Sequence, residues 1–236
     1  MQNNVGNRWE CNFKYIKAVL VALMLGLICF AGTAYADVEI NEENFPDEKF
    51  RTFVSRYDTD GNGKFSDSEI GIVTEIDCSE QGISDLTGIG VFTALTNLNC
   101  GENQLTSLDV SENVALRGLW CESNKLTSLD VSKNMALTSL VCYSNELTSL
   151  VVSENTALTM LDCETNKLTS LDVSGFTALT QLYCGVNQLT SLDVSKNTAL
   201  DTLVCFSNQL TSLDVSKNSA LTFLWCEFNK LTSLDV

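Results

Sequence analysis

From Leu116 to Ala136 the chain reads L-x-x-L-x-C-x-x-N-x-L-T-S-L-D-V-S-x-N-x-A, and this 21-residue unit recurs to the last residue. Cys100, Cys121, Cys142, Cys163, Cys184, Cys205 and Cys226 keep the period, and Asn103, Asn124, Asn145, Asn166, Asn187, Asn208 and Asn229 follow in step. A fixed period of this size constrains the fold more than any other feature. Each unit is one supersecondary element that buries its apolar side only by stacking on its neighbours, so the chain is a solenoid.

Within the unit, Leu119-Trp120-Cys121-Glu122 alternates, which points Leu119 and Cys121 inward and Trp120 and Glu122 outward. Asn124 then turns the chain. Its amide is expected to satisfy backbone groups in the bend and to meet the asparagines of adjacent turns in a ladder. Leu126, Leu129 and Val131 fill the far side, Asp130, Ser132 and Asn134 supply turn chemistry, and Ala136 begins the return. Nothing from Thr127 to Asn134 has the length or period of a helix, which predicts a weakly curved rod. One turn buries too little to offset the ordering of its own backbone, so stability comes from stacking.

Eight cysteines, Cys78 to Cys226, lie in or beside this array. Stacked strands sit about 4.8 Å apart, which leaves in-register Cβ atoms beyond the usual ~3.8 Å of a disulfide. The expectation is a column of reduced, buried thiols acting as compact hydrophobes. A straight row is also a poor tetrahedral metal site. Asp109, Asp130, Asp172, Asp193, Asp214 and Asp235 form a second column, interrupted by Val151, whose readings are turn capping or a cation-binding stripe.

Ahead of the array stands a leader. Arg8, Lys14 and Lys17 precede an uncharged apolar run, Ala18 to Ala31, and Ala34-Tyr35-Ala36 has the small-residue pattern of a signal peptidase site. Residues 1–36 are read as a signal peptide cleaved before Asp37, so that membrane contact is limited to this segment; an uncleaved anchor is the alternative. Its removal takes away three basic residues and Glu10, which moves the formal charge from −16 to −18. So acidic a surface repels phosphate backbones and excludes nucleic acid as a partner. The chain has no histidine, which removes histidine-dependent triads and histidine metal sites. No nucleophile and base are assembled, and the expectation is that the chain is not an enzyme.

Residues 37–72 form a cap. From Asp58 to Glu69 the sequence DTDGNGKFSDSE satisfies D-x-[DN]-x-[DN]-G-x5-E at every specified position. Asp58, Asp60 and Asn62 offer side-chain oxygens, Gly63 permits the turn, Lys64 offers its carbonyl, Ser66 acts directly or through water, and Glu69 closes the shell. Hard oxygen ligands in that number suit Ca²⁺. Phe50, Phe53, Val54 and Tyr57 make the apolar stripe of a preceding helix with Pro46 in its first turn, and Ser66 and Glu69 have capping-box spacing. The stretch resembles a single EF-hand, or half of a dockerin, over about 30 residues. Both families usually pair their loops, and no second loop stands in this sequence. Val73, Ile76, Cys78, Gln81, Ile83 and Leu86 then overlay the repeat as a degenerate first turn, so that 73–236 holds this turn and seven 21-residue turns, the last incomplete. The chain stops part way through a unit, and the expectation is either a continuation or a partner over the open end.

The L-x-x-L-x-C-x-x-N-x-L half of the unit resembles the leucine-rich repeat from about Val73 to Val236. With cysteine in place of a leucine it is similar to the 21-residue repeats of bacterial internalins. The resemblance implies a right-handed solenoid with a parallel β-sheet on its concave face, little or no helix on the convex side, and a short α-helical N-terminal cap. It also implies a secreted or cell-surface module that binds a protein or glycan on a host or neighbouring cell.

Comparing the repeats with one another separates scaffold from surface. Inward and turn positions barely vary, whereas Trp120, Asp162, Tyr183 and Trp225 stand before cysteines and Glu122, Tyr143, Glu164, Phe206 and Glu227 after them. With Phe223 and Phe228 at the rim, these aromatic and acidic residues are the candidate ligand-binding face. Alternative readings are the non-catalytic targeting part of a larger surface enzyme, and a structural or self-associating rod.

Overall fold

The structure, a computed structural model, describes residues 37–236. The leader read over residues 1–36 lies outside the described residues. Strand β1 (Val38–Glu39) pairs antiparallel with β2 (Lys64–Phe65), and between them runs helix α1 (Glu48–Val54), extended by a 3₁₀ turn over Ser55–Tyr57. Asp47 caps α1 by accepting from the backbone of Lys49 and Phe50. Pro46 therefore precedes the cap and does not lie in the first turn, a correction that follows from the aspartate's competence as an N-cap. Helix α2 (Asp67–Ile70) begins at a complete capping box of Ser66 and Glu69.

The cap is fastened to the array at two levels. Asp47 Oδ2 accepts from both the backbone N–H and the hydroxyl of Ser84, each at 2.8 Å. Beneath it, Phe45, Phe50, Phe65 and Phe92 pack in tilted and edge-on contacts, all fully buried, which makes the cap core continuous with the first turn.

From Glu75–Asp77 to Phe223–Trp225 the array lays down one eight-stranded parallel sheet, each strand paired with the strand of the next turn. Leu98, Leu119, Leu140, Leu161, Leu182, Leu203 and Leu224 stand in register along it. On the far side only short pairs form, Ser128–Asp130 with Ser149–Val151 and Ser212–Asp214 with Ser233–Asp235. Among the described residues no α-helix follows Ile70. The chain is a leucine-rich-repeat solenoid.

In a typical turn Leu116, Leu119, Cys121, Leu126, Leu129 and Val131 are all buried. The cysteines are free, and burial pushes the thiols of Cys78 and Cys205 up to about 12. The asparagine ladder differs from the expected contact between amides. Asn145 Oδ1 accepts from Leu126 N of the preceding turn, and its Nδ2 donates to the carbonyls of Cys121, Cys142 and Tyr143. Each amide thus bridges the backbones of two turns, because a strand end exposes carbonyls that only a donor of this reach satisfies. A second buried column, Asn113, Asn134, Asn155, Asn197 and Asn218, stands on the convex side and works through Nδ2 alone, which in Asn134 donates to the Val110 and Asn113 carbonyls of the preceding turn, while Oδ1 has no partner. Phe176 replaces asparagine there in one turn and is fully buried.

Candidate functional site

The register of the sheet places three columns of side chains on the concave face. The first is Glu75, Asn97, Gly118, Ser139, Met160, Gln181, Thr202 and Phe223; the second is Asp77, Asn99, Trp120, Val141, Asp162, Tyr183, Val204 and Trp225. The third, one pleat further, is Ser79, Gly101, Glu122, Tyr143, Glu164, Gly185, Phe206 and Glu227. No lysine or arginine occupies any of these positions, whereas six carboxylates do. The first column, apart from Phe223, escaped the sequence comparison, which paired only the neighbours of cysteine; extending the period-2 alternation by one step would have found it. Val141 and Val204, although outward by alternation, are nearly fully buried.

The centre of this face is acidic and poorly satisfied. Glu122 and Glu164 lie in one column with Tyr143 between them, two turns or about 9.6 Å apart, and Asp162 is two residues before Glu164 on the same strand. Glu122 Oε2 and Glu164 Oε1 are buried without a hydrogen-bond partner. None of the ion pairs among the described residues involves these three carboxylates. Burial pushes Asp162 up to about 6, with the charge of Glu122 adding to it and the N–H of Glu164, 3.1 Å from Oδ1, opposing it. Burial also raises Glu122 and Glu164, and raises the Tyr143 phenol, to which the charges of Glu122 and Asp162 contribute.

Toward the C-terminal end the face becomes aromatic. The rings of Phe206 and Trp225 stack with centroids 4.0 Å apart and planes within 10°. An edge of the Phe206 ring sits over Gly185, where any Cβ would collide with it, as an edge of Trp120 sits over Gly118. The missing side chains leave room for these rings against the sheet. Trp225 Nε1 donates to Glu227 Oε2 at 3.2 Å, so Glu227 orients the indole. Phe223 is 51% exposed and Trp225 39%.

A neighbouring column carries a second signal. The residue two after each cysteine takes a left-handed backbone, φ between 50° and 57°, and most turns place Glu, Ser or Thr there. Val186 and Phe228 take the same conformation with bulky apolar side chains, 39% and 75% exposed. A β-branched residue at positive φ is strained by about 1–3 kcal/mol, and an exposed one recovers little by burial. Phe228 thus stands on the turn beyond the sheet, and Val186 is a residue of this rim that the sequence comparison did not single out.

The cap loop brings together carboxylate oxygens of Asp58, Asp60 and Glu69, all within 4.8 Å of one another. Oxygens that each lie about 2.4 Å from one Ca²⁺ are separated by no more than about 4.8 Å, so this donor set fits the ion. The loop is also organised from within. Asp58 accepts from the backbones of Gly61, Asn62 and Gly63, and Asn62 Oδ1 from Lys64 N. Glu69 accepts from the N–H and hydroxyl of both Ser66 and Thr59, which holds its carboxyl down at about 2. The Ser66 hydroxyl is turned toward Glu69. Lys64 belongs to β2, and the edge that a second loop would pair with is taken by β1.

No protein-family model matches the chain. Over 70 residues, 29% of the chain and 8% of the relative, it is 42% identical to internalin J of Listeria monocytogenes. The solved functional domain of internalin J from Listeria monocytogenes, which includes a cysteine ladder, superposes with a TM-score of 0.71 at 39% identity over 86% of this chain and 50% of that one. Internalin C2 of the same organism superposes with a TM-score of 0.75 at 20% identity, over 85% of this chain and 92% of its own, a likeness of fold. The chain thus spans about half of the solved internalin J domain it matches and a smaller part of the whole protein.

Proposed function

We propose that the chain is a secreted or cell-surface binding module whose concave aromatic and acidic face takes a protein ligand on another cell. The observation that carries this reading is the contrast within each turn: scaffold positions repeat, while the outward columns vary and carry unsatisfied carboxylates at the centre and exposed rings toward the C-terminal end. Similarity to internalin J supports it, as does the absence of histidine, which leaves few routes to catalysis. Among the described residues no helix is long and apolar enough to cross a membrane.

The test is flow cytometry of epithelial and bacterial cells with the labelled chain and with its Trp120→Ala, Trp225→Ala variant. The expected result is labelling that trypsin treatment of the cells removes and that the variant lacks. Equal labelling by chain and variant overturns the assignment to the concave face. Labelling lost to glycosidase but not to trypsin moves the ligand from protein to glycan.

We propose further that Asp58, Asp60, Asn62, Glu69, the Lys64 carbonyl and Ser66 hold Ca²⁺ in the cap. Convergence of the three carboxylates supports this reading; the four donors on Glu69 compete with the ion, and with no second loop in the sequence the expected affinity is in the weak extracellular range of about 10⁻⁴–10⁻³ M. Calorimetric titration should show one site that Asp58→Ala abolishes; no heat at millimolar Ca²⁺ overturns it.

A further inference from the structure

The three central carboxylates are a poor investment for folding. Each surrenders hydration, two leave an oxygen buried without a donor, and all three are held above their ordinary pKa, so the folded chain is less stable for having them charged. The face supplies no cation to answer them. Phe206 stands two turns beyond Glu164, about 9.6 Å by strand spacing, and stacks on Trp225 of the following turn, whose indole Glu227 orients. Residues two or four apart in an extended polypeptide share one face and stand about 7 or 13 Å apart, which brackets this distance within the reach of long side chains.

We propose that the occupant of the concave face is a polypeptide segment that seats a lysine or arginine among Glu122, Asp162 and Glu164 and an apolar side chain on Phe206 and Trp225. This rests on the protein-binding reading above and adds the chemistry of the ligand. A cation over the face pairs with the accessible oxygens of these carboxylates and offsets the charge they share with the buried ones, which a neutral hydroxyl does less well, and the effect is largest where the carboxylates are already desolvated. The adjoining rings accept an aliphatic or aromatic side chain, or the stem of the cation itself. The two features lie at fixed separation, so they also set the direction in which the segment runs.

Fluorescence anisotropy with a labelled ten-residue peptide of repeating Lys-Gly-Trp-Gly, which keeps lysine and tryptophan on one face of an extended segment, tests this at physiological ionic strength. Glutamine–tryptophan and lysine–glycine analogues serve as comparators. The triple variant Glu122→Gln, Asp162→Asn, Glu164→Gln is expected to weaken the lysine–tryptophan peptide at least ten-fold. Phe206→Ala with Trp225→Ala should weaken it several-fold and leave the lysine–glycine analogue within two-fold. A convex triple, Asp109→Asn, Glu112→Gln, Glu154→Gln, makes the same change in net charge and should stay within two-fold of the parent. An equal loss in the convex triple overturns the proposal, because the field of the whole acidic chain then accounts for binding. So does a glutamine–tryptophan peptide that binds as well as the lysine form, or no binding of the lysine form at millimolar concentration. If the peptides fail while cell labelling still depends on Trp120 and Trp225, the cationic ligand is wrong and the concave-face reading stands; if that labelling is indifferent to both residues, the reading itself falls. Urea unfolding of each variant verifies that losses come from a folded chain.

Discussion

The convex edge and the concave face each carry carboxylates set by the same 21-residue period, and the two sets meet opposite conditions. On the convex edge Asp109, Asp130 and Asp193 each accept from the backbone N–H two residues on, at 2.9 Å, and these bonds to Ser111, Ser132 and Ser195 hold the carboxyls below their ordinary value. On the concave face burial holds Glu122, Asp162 and Glu164 above theirs. Convex carboxylates are therefore explained by the fold they help to make, and concave ones are not. Charged groups that oppose folding are candidates for a role outside the fold, and this asymmetry supports the proposal that a partner meets the concave side.

The largest effect expected lies on the answered side of this contrast. Asn145→Ala removes the acceptor of Leu126 N and the donor to the Cys121, Cys142 and Tyr143 carbonyls, at a buried position. The expected loss is about 3–5 kcal/mol by urea unfolding. A loss below about 1 kcal/mol would mean that the asparagine ladder is dispensable, and the distinction between scaffold and surface would lose its foundation.

Next comes a substitution that should strengthen the fold. Asp162 titrates near 6 in the folded chain against about 3.8 unfolded, so the folded state binds more protons between these values. Stability accordingly falls as pH rises from about 4 through 6, and Asp162→Asn recovers it. After allowance for solvent screening of a partly exposed group, the gain at pH 7 is on the order of 1–2 kcal/mol, and it vanishes below about pH 4. The amide oxygen keeps an acceptor for Glu164 N. Unfolding midpoints at pH 7 and pH 3.5 check both sign and window; a variant less stable than the parent at pH 7 would place Asp162 with the convex set.

Much of this was legible in the sequence, for a reason specific to repeats. Seven copies of one turn expose which positions vary, so Leu119 and Cys121 could be assigned inward and Trp120 and Glu122 outward without coordinates. The ladder's connections were not legible, because an asparagine at a bend has several partners and only the offset between turns selects the carbonyls of Cys121 and Cys142. Neither was the seat of Phe206 over Gly185, which depends on a glycine one full turn away. The strain at Val186 was hidden because glutamate, serine and threonine at the equivalent positions do not advertise a left-handed backbone as glycine does. In the cap, the loop motif names its oxygens, but the capture of Glu69 by Ser66 and Thr59 is a matter of geometry.

The smallest effect separates the two readings of the convex column. Asp130 is solvent-exposed and accepts from Ser132 N, so Asp130→Ala should lower the urea midpoint slightly, and Asp130→Asn, which keeps the acceptor, should lower it less. Because its folded carboxyl titrates below the unfolded one, its contribution is present above about pH 4 and fades as pH falls. A turn cap gives the same shift with and without millimolar Ca²⁺. A cation stripe gives a midpoint that rises with Ca²⁺ in the parent and rises less in Asp130→Ala. The measurement is made in an Asp58→Ala background, which silences the cap loop. Calcium dependence that survives there and disappears with Asp130 would make the convex row a second set of carboxylates awaiting a partner, and the contrast between the two sides would then be one of partner and not of purpose.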